Sequence, residues 1–238
     1  MQQAALNLIA IGVFCMTLSV LLGPMLNIPA AIPALATLGV LGLATLDTLS
    51  FQGKGVTILL DSVAGTKSQY RDRILHHEAG HFLVAYLLGI PITGYTLTAW
   101  EAFKQGKPGL GGVTFDTQGL SPDPLAAGEV RLTLERFCTV WMAGIAAETL
   151  VYESAEGGAE DQQKLREALT TLGLPTNQYS IKERWATQQA QRMIKDNFSA
   201  YQALVEAMKQ RASVTECSEV IAKAEGRRQE AGGRRQEV

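Results

Sequence analysis

The sequence predicts a mainly α-helical chain with a small β-hairpin, built as an N-terminal transmembrane helical hairpin followed by one soluble domain. Three observations carry that prediction. The first 46 residues contain no charged side chain, while the 21 basic and 23 acidic residues all follow them, at about 23 % of positions, an ordinary density for a soluble domain. Two stretches rich in Thr, Tyr, Val and Phe, 92–100 and 111–115, flank a Gly/Lys/Pro loop, which is the composition of two strands joined by a long turn. Beyond Pro124 the apolar residues recur with helical spacing almost to the end. The charge-free strip excludes a purely soluble protein. A polytopic transporter is excluded too, because nothing after residue 50 offers the roughly 18 consecutive apolar residues of a further span.

The first apolar run, 4–23, is long enough to cross the hydrocarbon core at about 1.5 Å per residue, and the second, 30–48, reaches that length by borrowing residues after Leu46. Pro24, Asn27 and Pro29 lie between them and interrupt a helix, so residues 1–50 are expected to form a two-span hairpin. Ala36, Gly39, Gly42 and Ala44 would let the two helices approach closely. A cleaved signal peptide competes for this strip, with Ala34-Leu35-Ala36 imitating a cleavage site. However, no Lys or Arg precedes the run, and the run continues past that site. Basic residues begin only at Lys54, Lys67, Arg71 and Arg73. The positive-inside rule then places both termini and the soluble domain on the cytoplasmic, or stromal, side.

Residues 51–70 are expected to be a connector with one apolar stretch, 56–60, and residues 71–225 the domain proper. The domain opens with a helix from 71 to about 88, stopped by Gly89-Ile90-Pro91. After the strand pair comes a long helix over about 125–152, carrying Leu132, Phe137, Trp141, Ile145 and Leu150 on its apolar face. A second helix runs from near Gly158 to Gly173-Leu174-Pro175, a third over about 180–209 and a fourth over about 215–225. Trp100 and Trp141 are expected in the core. The tail, 226–238, repeats Gly-Arg-Arg-Gln-Glu, has no large apolar residue before Val238 and is expected to be disordered.

Net charge is −2, and outside the Arg-rich tail the balance is mildly acidic, which leaves no basic face for nucleic acid. Membrane lipid is the partner that composition predicts. The three cysteines, Cys15, Cys138 and Cys217, form no CxxC pair. They support neither a disulfide framework nor a thiolate zinc site, and fit a reducing compartment.

All three histidines fall within the string HHEAGH, and it holds HExxH in one register only, His77-Glu78-x-x-His81. On a helix, side chains at i and i+4 share a face, so His77 and His81 can offer two imidazole nitrogens to one tetrahedral metal. Glu78 is placed to take a proton from a water at that metal. Ile74, Leu75, Phe82, Leu83 and Leu87 back the motif with an apolar face. His76 is a surface or supporting histidine rather than a ligand. With no histidine left, the third ligand is a carboxylate or a cysteine. Glu101 has the thermolysin-like spacing, but it follows a strand and precedes a Gly/Pro loop, with no helix to present it.

His77 to His81 (HEAGH), the small-residue helix MAGIAAE at 142–148 and the Gly-Gly-x-x-Asp string at 157–161 resemble, in the same order, the proteolytic domain of FtsH-type membrane-anchored ATP-dependent zinc proteases, peptidase family M41. The resemblance covers about residues 70–215. It implies an M41-like zinc metallopeptidase domain, Zn2+ as cofactor, and Asp161 as the third ligand, with a one-residue slip to Glu160 left open because the family more often has Asn-Asp-Leu there. Glu148 lies in the matching small-residue helix, as a supporting hydrogen-bond partner or a solvated glutamate. The ATPase module of the family is missing, and Gly65-Thr66-Lys67-Ser68 is no Walker A loop. The chain looks like the ATPase-less M41 relatives of oxygenic phototrophs.

The expectation is therefore a membrane-anchored zinc endopeptidase acting on proteins or peptides, with a homo-oligomer or an ATPase-bearing partner in view. Its alternative is a non-catalytic M41-like assembly or adaptor protein. An intramembrane protease is disfavoured because Arg71-Asp72-Arg73 precedes the motif and too short an apolar run follows it. The strand 111–115 resembles the edge strand after the HEAGH helix in M41 proteases. Through Gly112, Val113 and Thr114 it would pair with an extended peptide, or else merely cover the core.

Overall fold

The computed structural model describes residues 2–29, 31–51, 54–64, 68–106, 111–116 and 127–233. In chain order the helices and strands among them are α1 (Gln2–Leu22), α2 (Ala31–Phe51), α3 (Lys54–Ala64), α4 (Ser68–Leu87), β1 (Ile92–Thr96), α5 (Ala99–Lys104), β2 (Gly112–Phe115), α6 (Ala127–Trp141), α7 (Ala143–Tyr152), α8 (Ala159–Thr171), α9 (Tyr179–Asp196), α10 (Phe198–Lys209) and α11 (Val214–Gly233). The chain is mainly helical with one small antiparallel two-stranded sheet. It divides into two compact units, Met1–Tyr70 with Thr96–Gly111, and Arg71–Tyr95 with Gly112–Val238.

In the first unit, a 3-10 turn at Pro24–Leu26 and a left-handed Asn27 (φ 53°) separate α1 from α2. Among the described residues one helical stretch, Ala31–Leu49, is long and apolar enough to cross a membrane, and none of it is buried; the apolar part of α1, Ile9–Leu22, is shorter. Residues 54–64, expected to be plain connector, form the amphipathic helix α3. Its first amides, Gly55 and Val56, donate to the Asp47 carboxylate at 2.8 and 2.9 Å. That cap comes from the preceding helix rather than from the neighbouring residue, so no local motif announces it. The expected strand 92–100 is likewise shorter. Thr98 accepts from the Glu101 amide, and the Glu101 carboxylate accepts from the Leu97 amide at 2.8 Å. Together these bonds cap the start of α5, so Glu101 does sit on a helix. Trp100, expected in the core, is 51 % exposed.

In the second unit, α4 is buried on all sides from His77 to Ala85, which makes it the central helix. It ends as expected, with Gly89 at φ 69° and the Ile90 amide returning to the Ala85 carbonyl. The sheet register is set by the Asp116 amide on the Pro91 carbonyl (2.9 Å) and by Thr114 and Thr93, each bonding across the pair. Leu134, Cys138 and Met142 pack with Leu165, Leu169 and Ala186 of α8 and α9, and Trp141 and Ile145 flank them. Leu132, expected on that face, is exposed, because two residues of helix rotate a side chain by about 200° from Leu134.

Three helix boundaries depart from expectation. The helix over 125–152 is interrupted at Met142 (ψ −3°), two residues before Gly144. The helix over 180–209 breaks at Asn197 (φ −117°, ψ 33°), whose side-chain amide bonds back to the Met193 carbonyl, a local alternative to the helical ladder. α11 continues through residues 226–233, which were expected to be disordered. Ala, Arg, Gln and Glu are good helix formers there, and a single interior Gly costs only about 1 kcal/mol. Residues 234–238 lie outside the described residues.

Candidate metal centre

His77, Glu78 and His81 are all buried in the middle of α4. The two imidazoles lie on one face, edge-to-face at 71°, with ring centroids 4.8 Å apart. Each ring is tethered from behind through Nδ1, His77 to Glu148 Oε1 at 2.7 Å and His81 to the Val140 carbonyl at 2.7 Å. A carbonyl oxygen only accepts, so His81 Nδ1 carries the hydrogen and Nε2 is left to face the site; the Glu148 carboxylate imposes the same tautomer on His77. Both Nε2 atoms turn toward Asp161 Oδ2, at 3.2 Å from His77 and 3.4 Å from His81.

Asp161 reaches this point because of how α8 begins. Gly158 has φ 94°, and a Cβ there would collide with the Ile145 side chain, so the chain turns sharply into the helix at a position that only glycine fits. Asp161 then lies in the first turn, where the helix dipole favours a carboxylate. Lys164 Nζ takes the other oxygen, Oδ1, at 3.2 Å, leaving Oδ2 to the imidazoles. Glu160 is exposed, Glu101 caps α5, and Cys138 is packed among apolar residues with its thiol pushed up to about 11 by burial. Asp161 alone of these joins the two histidines. Close approach of α7 to α4 completes the pocket: a Cβ on Gly144 would collide with His77 Nε2, and one on Gly80 would come within 2.6 Å of the Ala143 carbonyl.

Glu148, one of the two supporting residues expected, is 2 % exposed and saturated with donors. Its Oε1 meets His77 Nδ1 and the Gly157 amide, and its Oε2 the Glu156 amide (2.9 Å) and Arg73 Nη1 (3.2 Å). A buried carboxylate survives only when so compensated. Arg73 also donates to the Ser154 carbonyl at 3.0 Å and lies over the Tyr152 ring. One guanidinium thus links α4, Glu148 and the loop that runs into α8. Sequence reasoning took Arg73 only for a charge at the helix start; its signal was the i, i+4 spacing to His77. The other expected supporter, His76, points elsewhere. Its Nδ1 meets Tyr201 Oη at 2.8 Å, the Tyr201 hydroxyl donates to the His76 carbonyl, and the ring stands edge-on to Tyr152. Burial lowers the His76 pKa, against the pull of Asp72.

Of the strand residues expected to hold a peptide, Thr114 is engaged with β1, its carbonyl accepting from Thr93 and its hydroxyl donating to the Gly94 carbonyl. Gly112 begins the same strand. The Val113 N–H points to the other edge, and there Glu78 Oε2 accepts it at 2.9 Å. The donor expected to meet an incoming peptide is thus the one that orients Glu78.

The surrounding carboxylates favour positive charge at His77, which a proton supplies or a metal ion at Nε2 would supply in its place. Burial alone would lower the His77 pKa, but hydrogen bonds to Asp161 and Glu148, with the charge of Glu78 nearby, push it up to about 10. Burial would raise that of Asp161, yet His81 and His77 hold it far below the usual carboxylate range. Two donors about 2.0–2.1 Å from one tetrahedral zinc ion lie about 3.3–3.4 Å apart, which the 3.2 and 3.4 Å separations from Asp161 Oδ2 match. His77, His81 and Asp161 could hold a metal ion, their ligand atoms all lying within 4.8 Å of one another. No protein-family model matches this chain, and no curated protein does either.

Proposed function

We propose that the chain is a membrane-anchored zinc metalloendopeptidase of the M41 type, without a nucleotide site of its own. The observation that carries this reading is the convergence of two Nδ1-tethered imidazoles on one carboxylate oxygen, with Glu78 beside them. His77, His81 and Asp161 would hold the zinc ion, which when bound would acidify a water and polarise a peptide carbonyl. Glu78 would take a proton from that water and deliver it to the departing amine nitrogen, so that the hydroxyl ends on the acyl carbon. With Oε2 held by the Val113 amide, Oε1 is the atom that exchanges the proton. Glu148 and Arg73 would keep the His77 ring from turning.

The anchor would be a two-span hairpin of α1 and α2, with the domain on the cytoplasmic or stromal side. Hydroxyls of Thr17, Ser19, Thr37, Thr45 and Thr48 all bond to carbonyls of their own helix. That supports burial in lipid, where polar groups must be satisfied internally. Metal analysis combined with cleavage of casein or an unstructured peptide tests the reading. One zinc per chain is expected in wild type and in Glu78→Gln, with cleavage by wild type alone. A metal-free chain, or equal cleavage by Glu78→Gln, overturns it.

A further inference from the structure

α5 carries an aromatic pair that its own unit does not bury. Trp100 and Phe103 are 51 % and 39 % exposed and stacked on each other, with ring centroids 5.8 Å apart. Lys104 Nζ lies 5.3 Å from the Trp100 ring centre, within cation–π range. Trp belongs to the aromatic belt where hydrocarbon meets headgroups, Lys snorkels there, and Trp with Phe beside a Lys is the make-up of an interfacial helix.

Hydrogen bonds fix where this helix sits within its unit. Asp47, two residues before the end of the apolar stretch Ala31–Leu49, caps α3 through the Gly55 and Val56 amides. Asp61, near the other end of α3, accepts from the first amide of α5, Ala99, at 3.0 Å. α3 also touches both α1 and α2. Two carboxylates therefore chain the end of the apolar helix to α3 and α3 to α5. α3 itself leaves Val56 and Leu59 exposed.

We infer that α5, with Trp100, Phe103 and Lys104, is an interfacial membrane anchor seated at the headgroup–acyl boundary of the bilayer that α2 crosses. The inference rests on the membrane reading above. The rings enter the boundary and the ammonium stays among the phosphates.

The chain has three tryptophans, so Trp141→Phe with Trp185→Phe leaves Trp100 as the sole reporter, and Trp100→Phe with Trp141→Phe leaves the exposed Trp185 as control. Both chains are reconstituted into phosphatidylcholine vesicles brominated at acyl carbons 6,7 or 11,12. Trp100 emission should be quenched at least twofold more than that of Trp185, and more by the 6,7 than the 11,12 lipid. Should the double substitutions unfold the chain, the lipid-quenched fraction lost on Trp100→Phe alone gives the same reading. Quenching of Trp100 no stronger than that of Trp185 overturns the proposal, as does a blue-shifted but unquenched Trp100, which would mean that a second copy covers it. Alkaline carbonate extraction separates the two levels. A chain retained in the vesicles with unquenched Trp100 sinks the interfacial anchor alone, whereas a chain released from them sinks the membrane reading and the anchor with it.

Discussion

Replacing Glu148 by Gln keeps an acceptor for His77 Nδ1 but removes the charge that faces Arg73. Losses of such partners behind a metal ligand cost about 10–100-fold in metal affinity. Glu148→Gln is expected near the lower end of that range in competition with a chelating dye. Glu148→Ala leaves two loop amides without their acceptor and Arg73 with only Ser154 and Glu156, so it should also cost about 1–3 kcal/mol of stability in a denaturant melt. Wild-type affinity in Glu148→Ala would show that His77 holds its orientation without it. Asp161→Asn should lower zinc content far more than Glu160→Gln or Glu101→Gln, since Glu160 is exposed and Glu101 caps α5. Equal zinc in Asp161→Asn and wild type would remove it from the ligand set.

Elements differ in how openly their residues announce them. The histidine helix was legible because HExxH and its Gly-x-Pro stop act locally, and α8 because glycines bracket it. Glu148 was half legible: its helix was, but its burial depends on amides and an arginine that only folding brings together. Hidden altogether were the cap of α3, which comes from Asp47 in the preceding helix, and the interruption at Met142, which the apolar periodicity running through it masks. The interruption sits where α7 meets α4, and the small residues Gly80, Ala143, Gly144 and Ala147 make that contact. Gly144→Ala is accordingly expected to displace the His77 ring. It should lower zinc affinity and melting temperature together, although alanine is the better helix former by about 1 kcal/mol. A Gly144→Ala chain with unchanged zinc affinity and a higher melting temperature would mean that α7 is free to move away.

At the scale of the whole molecule, the apolar helices and the metal centre belong to different compact units, and the proposed function needs both on one chain. If α1 and α2 form a hairpin, protease should reach tags at both termini from the cytoplasmic or stromal side, and a tag in the 24–29 turn only from the opposite side. Tags at the two termini reached from opposite sides would leave a single span. The proposed enzyme, working without a nucleotide site, has simple energetics. Unfolding a stable domain costs about 5–15 kcal/mol, whereas peptide hydrolysis at this site would draw on nothing that performs that work beforehand. The purified chain should therefore cleave unstructured peptides at rates unchanged by ATP and leave a stably folded domain intact. Cleavage of that folded domain should appear once it is destabilised by a few kcal/mol, in proportion to its unfolded population. ATP-stimulated degradation by the purified chain alone would contradict this, and degradation of stable folded substrates in cells would require a separate unfoldase to supply the force.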